Sequence, residues 1–100
     1  MPAYIIVTRL GPVRDAGAIA EYSRLNREHA AEFRQLYNIT PLVVYGAVDA
    51  LEGPAPDGVV MLQFPTLADA RAWYDSPAYQ TALGYRRKAG DYHAFIVEGL

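Results

Sequence analysis

One hundred residues, 52% of them hydrophobic and 12% aromatic, suffice for a single packed core and are too apolar for a disordered chain. Eleven acidic residues against nine basic ones leave a formal net charge of -2, without the basic face that nucleic-acid binding requires. The absence of cysteine excludes thiolate catalysis, zinc-thiolate sites and disulfide scaffolding.

Tyr4 to Arg9 is a β-branched run ended by Gly11-Pro12, which predicts a first strand and a turn. Asp15 then offers an N-cap, and no proline interrupts the chain as far as Tyr37. Apolar residues recur at 19, 22, 25, 30, 33, 36 and 37. At helical periodicity they share an arc of roughly 140°, with Glu21, Arg24, Arg27, Glu28, Glu32 and Arg34 outside it. One continuous amphipathic helix over 15–37 is expected. Asn38 and Pro41 close it, and a second strand is expected from Leu42 through Leu51, bulged or bent at Gly46.

The stretch Gly53-Pro54-Ala55-Pro56-Asp57-Gly58 reads as a turn, so the third strand, Val59 to Phe64, pairs antiparallel with the second. Thr66 and Asp69 resemble a capping box for a helix carrying Trp73 and Tyr74. Ser76 and Pro77 supply an N-cap and first turn for a further helix that runs to about Lys88, where Arg86, Arg87 and Lys88 suit a helix C-terminus. Tyr92 to Glu98 is the last strand.

This order is βαββαβ, an α+β ferredoxin-like sandwich: one domain over 1–100 with a four-stranded antiparallel sheet and its helices on one face. A sheet covered on one side should alternate apolar with polar residues. Here Ile5 and Val7 oppose Tyr4 and Ile6, Val59 and Met61 oppose Val60 and Leu62, and Phe95 and Val97 oppose Ala94 and Ile96. Both faces are apolar, so the helices cover one and a second copy of the chain is expected to cover the other, giving a homodimer. The N-terminal Met1 to Val7 lacks a charged leader with a long apolar run, and no stretch approaches the ~20 residues of a membrane span. With no disulfides, the chain reads as a cytoplasmic protein with neither membrane nor nucleic-acid partner.

Leu51-Glu52-Gly53, Gln63-Phe64-Pro65-Thr66, the tract Ala70 to Gln80, Arg86 and Val97-Glu98-Gly99 resemble the domain of unknown function 1330 family over nearly the whole chain, most specifically from Trp73 to Gln80. The resemblance implies a dimeric α+β barrel in which subunits pack sheet to sheet. It also implies relatives among cofactor-free monooxygenases, small isomerases and haem-handling enzymes, and a pocket between helices and sheet. Where the family pattern has glycine pairs, this chain carries Asn38-Ile39 and Tyr45-Gly46.

No phosphate loop, zincin spacing or nucleophile elbow is present. Asn26 and His29 fall inside the apolar arc of the first helix, which aims them at the interior. His29 is the candidate catalytic acid or base, and the alternative is a structural histidine satisfied by a neighbouring carbonyl. Tyr79 and Arg86 share a face of the last helix, where they could present a hydroxyl and a guanidinium to one cleft; alternatively Arg86 pairs with Asp75 or Glu98. Ser76 is read as a cap. Tyr22, Asn26, Tyr45, Tyr79 and Arg86 are thus the candidate ligand-binding residues. Two functions remain open: a cofactor-independent enzyme acting on a small aromatic or apolar acid, and a non-catalytic dimer binding such a ligand. Haem ligation by His29 is a third. No cofactor or metal is otherwise expected.

Overall fold

The computed structural model describes residues 1–100. Its elements are β1 (Ala3–Leu10), α1 (Ala16–Glu28), α2 (Ala30–Tyr37), β2 (Thr40–Val44), β3 (Gly58–Phe64), α3 (Leu67–Asp75), α4 (Pro77–Ala89) and β4 (Asp91–Glu98). The sheet order is β2-β3-β1-β4, and every neighbouring pair is antiparallel. Helices occupy one face, so the architecture is the ferredoxin-like α+β fold that the sequence pattern predicts.

Caps explain most of the helix boundaries. The Asp15 carboxylate accepts from the Ala18 N–H at 2.9 Å and starts α1. Thr66 Oγ1 accepts from the Asp69 N–H at 3.1 Å and donates to the Asp69 carboxylate at 2.9 Å, so the aspartate bonds the capping hydroxyl and not, as Glu or Gln does in a capping box, the backbone N–H of the cap residue. Ser76 Oγ serves two helices, donating to the Trp73 carbonyl at 2.7 Å and accepting from the Tyr79 N–H at 3.3 Å. That double role accounts for the serine at a buried corner.

Two expectations about element boundaries need correction. The helix expected over 15–37 is broken at His29, whose backbone (φ -95°, ψ 4°) leaves the helical region. The break is one residue wide: the His29 N–H still reaches the Leu25 carbonyl, and the His29 carbonyl still accepts from Phe33. Neither proline nor glycine causes it. The bend lets α1 lie against α4 while α2 carries Phe33 over Trp73, their rings 5.9 Å apart and perpendicular.

The second strand is also shorter than expected, ending at Val44 instead of Leu51, and its bulge falls between Pro41 and Val43 rather than at Gly46. Tyr45 stops it by adopting φ 55°. Asn38, which closes α2, is the other non-glycine residue with positive φ, also 55°. The two left-handed positions coincide with the two sites where the family resemblance implies glycine pairs.

The core lies between sheet and helices. Ala3, Ile5, Val7 and Phe64 point from the sheet into a layer of Phe33, Trp73, Tyr79 and Leu83. The register puts Ile5 beside Leu62 and Ile96 on this covered face, and Ile6 beside Met61 and Phe95 on the other. That other face has no helix on it, and Phe95 and Val97 remain about half exposed.

Candidate functional site

A cavity of about 390 Å³ opens between α1–α2 and the β2–β3 edge of the sheet. Its walls are mostly apolar: Phe33 and Ile39, then Val60, Leu62 and Trp73. Of the candidate ligand-binding residues, Tyr22 and Asn26 reach it from α1 and Tyr45 from the turn after β2. Tyr45 can lie there because Gly58 has no side chain, since a Cβ at that position would come within 3.0 Å of the Tyr45 ring. Burial raises the Tyr45 hydroxyl pKa above the usual phenol value, and the nearby Tyr92 and Tyr22 add to the shift.

Two charged cavity residues escape the sequence reading. Arg27 and Arg34 line the mouth, and neither forms an ion pair, whereas Arg24 is held by Glu21 and Glu28. The lining contains no carboxylate. Both arginines sit next to Ala30, at the edge of the predicted apolar arc, where a long side chain can extend along apolar surface and present its charge at the rim. Deeper in, Asn26 Oδ1 is buried without a hydrogen-bond partner, as is Trp73 Nε1. Such groups normally find a partner, and neither has one within the protein.

The remaining predicted residues go elsewhere. Tyr79 is fully buried behind the cavity, hydrogen-bonded through its hydroxyl to Tyr22 at 2.9 Å and packed on Trp73 with ring centroids 3.9 Å apart. Burial, with help from Tyr22, lifts its hydroxyl pKa far above the ordinary value, so Tyr79 stays protonated and can donate but cannot act as a base. Arg86 does not line this cavity. It lies under the helix layer, 4% exposed, its guanidinium 4.9 Å from the Tyr92 ring centroid and 5.9 Å from that of Tyr22. The salt bridge considered for it is absent: Asp75 pairs with Arg71, and Arg86 forms no ion pair. Burial works against its charge, yet the Tyr79 and Tyr22 oxygens outweigh that cost and hold its pKa above the ordinary value.

His29 does not project into the interior as expected. At the break between α1 and α2 it stacks on Phe33, with its Nδ1 3.0 Å from the Glu32 carboxylate, and it lines neither this cavity nor the second pocket described below. His29 sits at the bend itself, where one helical periodicity over 15–37 no longer describes which way a side chain faces. Chemically, the cavity can bind an apolar body and stabilise negative charge through hydroxyls and guanidinium groups. No imidazole, amine or carboxylate lines it to accept a proton.

The fold defines the chain as a ferredoxin-like α+β protein with an open antiparallel sheet. It belongs to the DUF1330 family, a domain of unknown function whose model matches residues 2–100. No curated protein matches the sequence. Among solved structures, a dimeric ferredoxin-like protein of unknown function from Jannaschia sp. CCS1 is similar over 99% of this chain and 100% of its own, at 14% identity and a TM-score of 0.70. A protein of unknown function from Rhodopseudomonas palustris is similar over 99% of this chain and 82% of its own (18% identity, TM-score 0.69). SnoaB, a cofactor-independent oxygenase from Streptomyces nogalater, matches 99% of this chain and 92% of its own at 11% identity and a TM-score of 0.62. At these identities the likeness speaks for the fold.

Proposed function

We propose that this chain is a homodimeric binder of a small, flat, largely apolar acid, taken up in the helix-sheet cavity. The observation that carries the reading is the composition of that lining: an apolar interior, two unpaired arginines at the mouth and no carboxylate. In this reading the apolar body displaces water from Phe33, Val60, Leu62 and Trp73, a donor on the ligand meets Asn26 Oδ1, and Arg27 or Arg34 holds the anionic group. The second copy of the chain covers Ile6, Met61, Phe95 and Val97, whose apolar surface would otherwise face water. The dimeric state of similar structures supports this. No helix is long and apolar enough to cross a membrane, and a cysteine-free dimer of this kind suits the cytoplasm.

A second, catalytic reading is favoured by the similarity to SnoaB. Because no base borders the cavity, a cofactor-independent reaction here would use the acidity of the substrate itself, with Tyr22, Tyr45 and the arginines stabilising the anion that forms. His29 carries no step in it, and the haem reading that relied on His29 has no support from the site.

Trp73 makes the binding reading testable, since it is the single tryptophan and it lines the cavity. Titration with 1-naphthoate should quench its fluorescence saturably, and naphthalene-1-methanol, which lacks the charge, should bind more weakly. The double variant Arg27→Gln with Arg34→Gln should abolish that preference. Equal quenching by both probes, or none, overturns the proposal. Oxygen uptake with quinol-type acids would decide for or against the catalytic reading.

A further inference from the structure

A second pocket, about 530 Å³, lies where the end of α4 meets the start of β4. Its lining is polar and includes Arg86, Arg87, Asp91 and Tyr92. The charges do not cancel: Asp91 is engaged by Arg14 at 2.9 Å, which leaves Arg86 and Arg87 without a counter-charge. Arg86 is more than nine-tenths buried, and its Nε has no hydrogen-bond partner. The hydroxyl of Tyr92, against whose ring the guanidinium packs, is likewise buried and unpartnered.

The two flanking tyrosine rings explain how the cation tolerates burial, because a ring face attracts a positive charge. They do not satisfy its Nε donor, which has no partner in the protein. A cation-π contact leaves the N–H groups unused, since these lie at the edge of the guanidinium plane, and a buried donor without an acceptor is costly. An oxyanion in that plane would accept from Nε and its neighbouring nitrogen together, and Tyr92 could donate to the same group. β4 is also an edge strand, so its outer main-chain groups have no partner strand beside this pocket.

We propose that this pocket is a second binding site, separate from the helix-sheet cavity, for a small oxyanion held by Arg86 with Tyr92 and with Arg87 at its mouth. Carboxylate and phosphate share the required chemistry. The site could take the charged end of a separate small acid or a free inorganic anion.

The test is a nitrogen-15 NMR titration of the native protein with sodium phosphate in one arm and sodium acetate in the other, each matched against chloride. Saturable shifts of the Arg86 Nε–H signal and of the Tyr92 and Ala94 amides are expected in at least one arm. Phosphate alone would mark an inorganic anion and acetate a carboxylate. Tyr92→Phe keeps the ring under the guanidinium and removes only the hydroxyl, so the fold should survive while affinity falls about fivefold. The site is refuted if neither anion exceeds chloride or if Tyr92→Phe binds as the parent does. It is also refuted if the shifts fall only on Val60 and Leu62, which would place the anion in the other cavity. Loss of naphthoate binding leaves this site untouched, so the two proposals fail separately.

Discussion

The first crossover, α1 with α2, buries only Ala18 and Phe33 among its helical residues, whereas the second, α3 with α4, buries Ala70, Trp73, Tyr79, Ala82, Leu83, Arg86 and Ala89. Both are broken helix pairs of similar length on the same face of one sheet. The second fills its half of the core. The first leans on α4, and its start ties to the end of that helix where the Ala89 carbonyl accepts from the Arg14 N–H at 2.6 Å. The cavity lies beneath this first pair, toward β2 and β3. The comparison teaches a division of labour in which α3–α4 with β1 form the scaffold and α1–α2 form a roof that leaves room for a guest.

The difference is broken most severely by truncating one leucine on each crossover. Leu83 is 1% exposed, and Leu83→Ala should cost about 3 kcal/mol, from lost burial plus the void left behind. Leu36 belongs to the predicted apolar arc yet is 57% exposed, because α2 turns it outward, so Leu36→Ala should change stability by less than about 0.5 kcal/mol. Urea unfolding of both variants checks this. Comparable losses would mean that the first crossover is packed as tightly as the second.

Smaller and more specific is the hydroxyl pair joining the two crossovers. Tyr79→Phe keeps the ring on Trp73 but removes the bond to Tyr22, for a loss of about 1 kcal/mol. The pH dependence provides a sharper reading. The folded chain holds the Tyr79 proton well above 10.0, the ordinary phenol value at which the unfolded chain begins to release it. Stability from this group is therefore complete below about pH 10 and falls as pH rises beyond it, since the unfolded state then binds fewer protons. Tyr79→Phe should lessen that alkaline decline relative to the parent. An unchanged slope in unfolding experiments from pH 9 to 11 would remove Tyr79 as its source.

Much of this scaffold is legible in the letters, because its determinants are local. Asp15, Thr66 and Ser76 act as caps where their spacing says they should, and the apolar residues on both faces of β1, β3 and β4 announce a sheet that must be covered twice. The roof is less legible. Nothing in Glu28-His29-Ala30 breaks a helix by itself; the bend follows from where α4 and Trp73 stand, and that placement is tertiary. One missed bend moves His29 out of the site and leaves Arg27 and Arg34 at the mouth. Arg86 was recognisable as notable, but its lack of a carboxylate depends on Asp75 having chosen Arg71. Tyr22, Asn26 and Tyr45 line the cavity, whereas Arg27, although it also precedes the bend, lies outside the apolar arc and carries no signal of its place there.

The smallest effect expected concerns the two turns that frame the roof, Asn38 after α2 and Tyr45 after β2, both at φ 55°. Glycine relieves the left-handed strain at each but makes the unfolded chain more flexible. Asparagine already tolerates this conformation better than most residues, so Asn38→Gly should stabilise the fold by only about 0.3 kcal/mol and leave 1-naphthoate binding unchanged. Tyr45→Gly relieves more strain yet removes a ring that packs against Gly58 and lines the cavity, so its stability change should lie near zero while affinity falls. Thermal unfolding and Trp73 quenching, measured together, separate the two. If Asn38→Gly weakened binding as much as Tyr45→Gly, the frame of the roof and not the tyrosine ring would govern what the cavity accepts.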